Sequence, residues 1–337
     1  MDLTEYLIHQ YEQKIITRDY PPHDAYIGLD IEHHSWFKNA EQALSALNRI
    51  KPDLVHIHYL GTHDDEYSEQ DWLWYNNIFQ AAEKIECKVV ENINIPTDPY
   101  ESHLVTYHVY VSDYVKNEFC YLSARNITIY PGSDLTFFSR KNSNVPEDCI
   151  GMVYRLENDK LNIDSLDVFI KVLQRRPGTK ALIVGGGTNM DGYKSKVEQA
   201  GLSEAFHFTS YVSYSELPAL YEQMSIFVAP VHTESFGQVS AFAMGMKLPV
   251  VGYDVGAIKE IVDATELLAP AGDSETLARI ILSLLDAPEK RLQIGLFNRA
   301  RAEQLFSVES MTNSYSLLYE NVLVDNANQR FPHKGLE

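Results

Sequence analysis

The sequence is poor in cysteine, in basic residues and in long apolar runs. Its three cysteines among 337 residues, Cys87, Cys120 and Cys149, have neither metal-ligand nor redox spacing; this excludes a disulfide framework and leaves reduced thiols as the expected state. No stretch approaches the ~20 apolar residues of a membrane span. Residues 1–10 lack the basic start and apolar centre of a secretory signal, so a cytoplasmic location is expected. Lys and Arg number 28 against 47 Asp and Glu, a net charge of −19. Up to residue 150 the count is 11 against 24, or −13, and the remainder carries −6. Such a surface repels nucleic acid and anionic membranes, whose binding needs clustered Lys and Arg.

What is present is globular: 45% hydrophobic and 22% charged residues, in a length that suggests about two domains of ~150 residues. The most informative stretch runs from Ser225 to Val262. Residues 225–230 form a short apolar run that reads as a buried strand, Val239, Phe242, Ala243 and Met246 recur at helical spacing behind Gly237, and residues 248–252 read as a second buried strand. A strand, helix, strand unit of this kind builds a parallel sheet, and ligands of such sheets bind beyond the carboxyl ends of the strands. That edge carries His232, Thr233, Glu234, Ser235, Phe236 and Gly237, just before a helix N-terminus whose backbone N–H groups suit a phosphate. Glu234 would repel a phosphate, so its partners are neutral hydroxyls, which a carboxylate accepts bidentately from a diol. Phosphate beside polyol describes a nucleotide sugar. The plainer alternative for Glu234 is an acid that merely favours the helix dipole.

Along the rest of the chain, residues 3–16 show helical spacing and 26–29 a short strand. Residues 40–50 read as a helix and 52–58 as a strand that puts His56 and His58 on one face. With His63, Asp64 and Asp65 beyond, a metal site is conceivable, but strand-end histidines lining a cleft are the simpler reading and no metal is assigned. The acidic run 64–71 suits a solvated helix start for 72–85, or a cation-binding rim. Strands at 87–95 and 105–112 and a helix at 113–122 precede a polar, Pro-containing linker at 141–148. After a strand at 150–154, Arg155 and Lys160 can converge on a diphosphate, as planar fork and point charge, or be ordinary loop charges. A helix at 163–173 precedes the strand 180–184, which ends in Gly185-Gly186-Gly187, where backbone can approach a ligand closely. Helices follow at 193–200, 274–285, 291–306 and 308–324, and 326–337 is a polar tail.

Glu234-Ser235-Phe236-Gly237, the helix ending in Ala243-Met244, Leu248-Pro249-Val250-Val251, and Asp254-Val255-Gly256-Ala257 before Glu260-Ile261-Val262 resemble the donor-site signature of glycosyltransferase family 4, retaining enzymes of the GT-B fold. The resemblance covers about 150–322 well and 40–138 loosely. It implies an α/β protein with two Rossmann-like parallel-sheet domains facing each other across a cleft: 1–145 on the acceptor side, 146–308 binding the donor, and 309–325 a helix crossing back to the first. By the same resemblance, Arg155 and Lys160 grip the donor diphosphate, Gly186 belongs to a second donor-domain loop, Tyr211 and Val212 lie where backbone contacts the base, Ser235, Phe236 and Gly237 offer backbone to phosphate, and Glu234 holds the donor sugar. No cofactor or metal is implied beyond the nucleotide-sugar substrate, with a UDP-sugar favoured.

Three departures stand out. Phe242 occupies the position of a second glutamate that holds the ribose hydroxyls, Asn94, with Asn92 before it, stands where a histidine nears the reacting sugar, and the usual first strand and glycine-rich loop have no counterpart, so that strand is expected to be absent or rearranged. Asn92, Asn94, His56 and His58 are the acceptor-side candidates; Asn can hydrogen-bond a hydroxyl but takes no proton, and the two Asn residues also suit a turn before Pro96. The charge balance favours a neutral or cationic soluble acceptor, or a protein. The expected activity is hexosyl transfer from a nucleotide diphosphate to an acceptor hydroxyl with retention, in polysaccharide or glycoconjugate biosynthesis. A non-catalytic GT-B partner or scaffold, or a nucleotide-sugar hydrolase or phosphorylase, are the rival expectations.

Overall fold

Short β-branched and apolar runs alternate with amphipathic helices along most of the chain, and in the computed structural model they become two α/β units. The structure describes residues 2–7, 9–18, 30–33, 37, 39–59, 69–100, 102–120, 125–141, 146 and 148–330. One unit comprises Met1–Gly132 with Val308–Glu337, the other Ser133–Ser307.

The first unit contains α1 (Asp2–Leu7), β1 (Ile15–Thr17), β2 (Ile31–His33), α2 (Ala40–Ile50), β3 (Leu54–Tyr59), α3 (Glu69–Lys84), β4 (Lys88–Ile93), β5 (Val105–Tyr110), α4 (Asp113–Phe119) and β6 (Asn126–Thr128). Strands β3, β4, β5 and β6 form a parallel sheet in chain order, while β1 and β2 pair in parallel as a separate ribbon. The helical spacing over 3–16 does not become one helix: α1 ends at Leu7, the N–H groups of Gln10 and Tyr11 both turn back onto the Leu7 carbonyl, and β-branched Ile15-Ile16-Thr17 pairs with Ile31–His33 instead. The expected strand at 26–29 lies outside the described residues. On one side of the β3–β6 sheet, Ala43, Ala46 and Leu47 of α2 pack with Ile78, Phe79 and Ala82 of α3. On the other, Leu7 of α1 and Val90 and Val109 of the sheet pack with Tyr315, Leu318 and Val322.

The second unit contains β7 (Cys149–Val153), α5 (Asp167–Arg175), β8 (Lys180–Val184), α6 (Met190–Gln199), β9 (Phe206–Phe208), α7 (Leu217–Tyr221), β10 (Ile226–Ala229), α8 (Gln238–Gly245), β11 (Val250–Tyr253), α9 (Ile258–Val262), β12 (Leu268–Ala269), α10 (Ser274–Leu285) and α11 (Pro288–Leu305). Its sheet is parallel throughout, in the order β12-β11-β10-β7-β8-β9. Every residue of β10 and β11 is buried, which explains why these strands read as unbroken apolar runs rather than alternating ones.

The border between units falls at 132/133, ahead of the polar linker at 141–148 and of the boundary expected at 145/146. Residues 133–140 are held by the second unit: Ser133 N–H donates to the Phe306 carbonyl, Phe138 is fully buried, and the Arg140 guanidinium donates to the carbonyls of Glu222, Met224 and Met246. The last helix, α12 (Val308–Arg330), continues six residues beyond the expected end at 324 and into the segment expected as a polar tail; its Tyr315, Leu318 and Val322 return to the core of the first unit.

Candidate functional site

Chain order places the site of the second unit. From β7 the chain moves to β8 and β9 on one side, then returns to β10 and continues to β11 and β12 on the other. The reversal lies between β7 and β10, which are neighbours, and a crevice opens at the carboxyl ends of strands at such a point. The segments leaving these two strands carry Arg155 to Lys160 and His232 to Gly237. They are tied together by the His232 N–H donating to the Lys160 carbonyl at 3.0 Å.

There the Lys160 ammonium donates to Glu234 Oε1 at 2.6 Å. The Glu234 side chain is 2% exposed and that of Lys160 36%, so the carboxylate is taken out of water and compensated by a cation that still reaches solvent. The Glu234 backbone is clamped as well. Ala257 N–H donates to its carbonyl at 2.9 Å, and this approach requires Gly256, at φ +51°, where a Cβ would lie 2.1 Å from the Glu234 oxygen. Gly256 thus has a packing role that the sequence motif did not reveal. Helix α8 begins behind Gly237 without a side-chain cap, and a Cβ at Gly237 would meet Glu234 Cγ at 3.4 Å and Ser240 Oγ at 3.7 Å. Carboxylate, helix start and Ser240 therefore share one small space.

The other expected donor-side residues make contacts of their own. Arg155 is exposed and pairs with Asp159 at 2.6 Å rather than converging with Lys160. The Gly185–Gly187 loop is joined to the β7 loop: Leu156 N–H donates to the Gly186 carbonyl and Asn189 N–H to the Leu156 carbonyl, both at 2.9 Å. Tyr211, 69% exposed, lies against Gly186, where a Cβ would come within 2.8 Å of its ring; Val212 beside it and Ser235 are half-buried. The Phe236 ring belongs to the core, edge-on to Phe306. Phe242 is buried in an aromatic stack, 3.9 Å and nearly parallel to Phe138, with Tyr214 edge-on at 6.0 Å.

In the first unit the acceptor-side candidates form one cluster. His56 and His58 have ring centroids 4.5 Å apart, and His56 Nδ1 shares a hydrogen bond of 2.6 Å with the Tyr319 hydroxyl. Tyr315 donates to Asn92 Oδ1, while Asn92 Nδ2 donates to Asn94 Oδ1 at 2.5 Å. Burial holds the His56 imidazole well below its usual range, so it is neutral near pH 7. The part played by Tyr315 and Tyr319 was not visible in the sequence, because α12 lies more than 200 residues away. The same holds for a buried pair: Glu91 Oε2 meets His108 Nδ1 at 2.8 Å, and Glu91 Oε1 accepts from Tyr100 N–H at 2.9 Å. Burial raises the Glu91 carboxyl pKa, against the opposing pull of His108 and Tyr100. Residues His63, Asp64 and Asp65 lie outside the described residues; among the described residues no group of three or more His, Cys, Asp or Glu side chains could hold a metal ion.

Residues 134–301, about half of the chain and nearly all of the second unit, match the family described as glycosyl transferases group 1. The chain is 27% identical over 184 residues to the lipopolysaccharide core biosynthesis mannosyltransferase LpsB of Rhizobium meliloti, covering 52% of this chain and 51% of that protein. It is 28% identical over 176 residues to the capsular polysaccharide biosynthesis glycosyltransferase CapM of Staphylococcus aureus, covering 52% and 46%. The matches thus span about half the length of these relatives, which are enzymes. Among solved structures, a glycosyltransferase from Rickettsia africae superimposes with a TM-score of 0.75 at 16% identity, covering 96% of this chain and 93% of that one. Anabaena Alr3699/HepE in complex with UDP and glucose gives 0.74 at 16%, covering 95% and 94%. The fold is GT-B, built from parallel-sheet α/β units.

Proposed function

We propose that the chain is a retaining glycosyltransferase that moves a sugar from a nucleotide diphosphate, preferably UDP, to an acceptor hydroxyl. The observation that carries this reading is the buried Glu234 carboxylate paired to Lys160 beside the uncapped start of α8. A carboxylate held there accepts hydrogen bonds from a sugar diol, and the helix start favours phosphate oxygens. Lys160 gives one N–H to Glu234 and keeps two for a diphosphate. Arg155, exposed on a neighbouring turn, swings from Asp159 to the same group.

In the reaction the bond between the anomeric carbon and the diphosphate oxygen breaks, with its electron pair going to the diphosphate. The acceptor oxygen bonds that carbon, and its proton passes to the departing diphosphate or to solvent. Cations and helix N–H groups aimed at the developing negative charge supply the main lowering of the barrier. No side chain of the second unit is assigned as a covalent nucleophile. Tyr211 and Val212 border the base, and Phe242, fixed in its stack, offers the ribose no carboxylate. The acceptor is a neutral or cationic soluble molecule or a protein, for which His56, His58, Asn92 and Asn94 supply neutral hydrogen-bonding groups. The Phe242 stack and the outward pairing of Arg155 favour a second reading, a non-catalytic GT-B partner. Calorimetry with UDP, GDP and ADP, followed by turnover of the matching sugar nucleotides with and without candidate acceptors, separates the two. Binding and transfer support the enzyme, sugar release to water or to phosphate would make it a hydrolase or phosphorylase, and absence of nucleotide binding would leave the partner.

A further inference from the structure

Three buried polar atoms, Glu234 Oε2, the Tyr154 hydroxyl and Ser240 Oγ, make no hydrogen bond of ordinary geometry among the described residues; the Tyr154 and Ser240 hydroxyls lie near enough to interact with each other, which leaves Glu234 Oε2 the one with no partner at all. Their residues are 2%, 7% and 0% exposed. Buried polar groups in folded proteins are almost always paired, so an unpaired carboxylate oxygen beside two hydroxyls that can satisfy at most one another calls for a specific occupant. The first two belong to the strand ends that define the crevice, because Tyr154 follows β7 directly and Glu234 follows β10. The third lies in the first turn of α8, and Ser240 Oγ and Glu234 Cγ both approach the same point above Gly237.

Tyr154 is held firmly. Its N–H donates to the Val184 carbonyl at 3.1 Å, Gly185 packs on its carbonyl so closely that a Cβ would lie 2.0 Å away, and its ring is 6.1 Å from that of Phe227. Burial, with the nearby Glu234 charge adding to it, keeps the phenol protonated far above neutral pH, and the Ser240 hydroxyl lies within its reach. Tyr154 is therefore a fixed neutral donor, Glu234 Oε2 a fixed charged acceptor, and Ser240 can act as either.

We propose that Tyr154 and Glu234 form a two-sided subsite for a single sugar hydroxyl, which accepts from the tyrosine and donates to the carboxylate, with Ser240 completing its surroundings. Tyr154 is thereby a specificity-determining residue. This rests on the donor reading above and adds to it that one hydroxyl of the transferred sugar is read in both directions. A site built to hydrogen-bond a hydroxyl discriminates strongly against the analogue that lacks it, because its own buried groups are then left unpaired.

The test compares binding of UDP and of a panel of sugar nucleotides (UDP-glucose, UDP-galactose, UDP-N-acetylglucosamine and GDP-mannose) to the unmodified protein, Tyr154→Phe and Ser240→Ala, then repeats it with monodeoxy analogues of the tightest sugar nucleotide. The expected result is a loss of roughly tenfold to a hundredfold for that sugar nucleotide in Tyr154→Phe. Binding of the free nucleotide stays within about twofold, and one deoxy position makes the variant and the unmodified protein equal. Ser240→Ala, measured in parallel, shows a smaller loss of the same pattern, so that a folding defect in the tyrosine variant alone does not decide the outcome. Equal effects on nucleotide and sugar nucleotide, or losses additive with every deoxy position, would overturn the subsite while leaving the donor site standing. Failure of the unmodified protein to bind any sugar nucleotide would overturn both.

Discussion

At the scale of single residues, the Lys160–Glu234 pair is the most consequential interaction, because one partner is buried and the other is not. Removing the lysine leaves a carboxylate in a site with no other cation bonded to it among the described residues, whereas Glu234→Gln removes the charge along with its need for compensation. Lys160→Ala is therefore expected to cost about 1–3 kcal/mol, below the full penalty for a broken buried pair because the ammonium is partly solvated, and Glu234→Gln less than that. Urea unfolding of both variants and of the double variant checks this, and in the double variant most of the lysine penalty should vanish. Glu91 gives a pH-dependent counterpart. Its folded pKa lies above the ordinary glutamate value of 4.5, so the folded state holds this proton more tightly than the unfolded chain does. The stabilisation from protonated Glu91 is complete below pH ~4.5 and is lost as pH rises through the raised value. Glu91→Gln should accordingly stabilise the first unit at pH 7 relative to the unmodified protein, with the gain shrinking toward pH 4; a gain that grows on acidification would contradict the assignment.

At the scale of elements, what the sequence disclosed was whatever depends on neighbours along the chain. Residues 40–50 and 274–285 were legible as helices to the residue, since apolar spacing agrees with the caps Asn39 and Asp273. Strands β10 and β11 were legible because every residue of each is buried. Spacing could not show that Ile15–Thr17 would leave a helical pattern for a strand partner at Ile31–His33, nor that Phe242 would stack on Phe138. For the site, Glu234, Lys160 and the Gly237 turn were readable as separate groups, but their meeting depends on the reversal between β7 and β10, and Tyr154 and Ser240 become visible only as buried hydroxyls at that reversal. Two variants test the long-range packing. Leu318→Ala in α12 should cost about 2–5 kcal/mol in the unfolding of the first unit, as for other buried leucines. Phe242→Glu should lower the melting temperature, because it places an unpaired carboxylate in an aromatic stack at a cost of roughly 3 kcal/mol or more. A Phe242→Glu protein of unchanged stability that binds UDP more tightly would show that the stack opens to the ribose.

For the whole molecule, charge and fold constrain the substrates from outside the site. With −19 overall and −13 before residue 150, the proposed neutral or cationic acceptor is the one long-range electrostatics would not repel, and no helix among the described residues is long and apolar enough to cross a membrane. Co-sedimentation with vesicles rich in anionic lipid at physiological salt should leave the protein in the supernatant; salt-sensitive pelleting would reveal a local basic surface stronger than the total charge. The central claim, that Glu234 holds the sugar of a nucleotide donor for transfer, is tested most directly by kcat/KM and UDP affinity of Glu234→Gln measured side by side with the unmodified protein. If the carboxylate orients the reacting sugar, its replacement lowers kcat/KM by ~100-fold or more and leaves UDP affinity within about twofold; unchanged turnover, or UDP affinity falling in step with turnover, would contradict it.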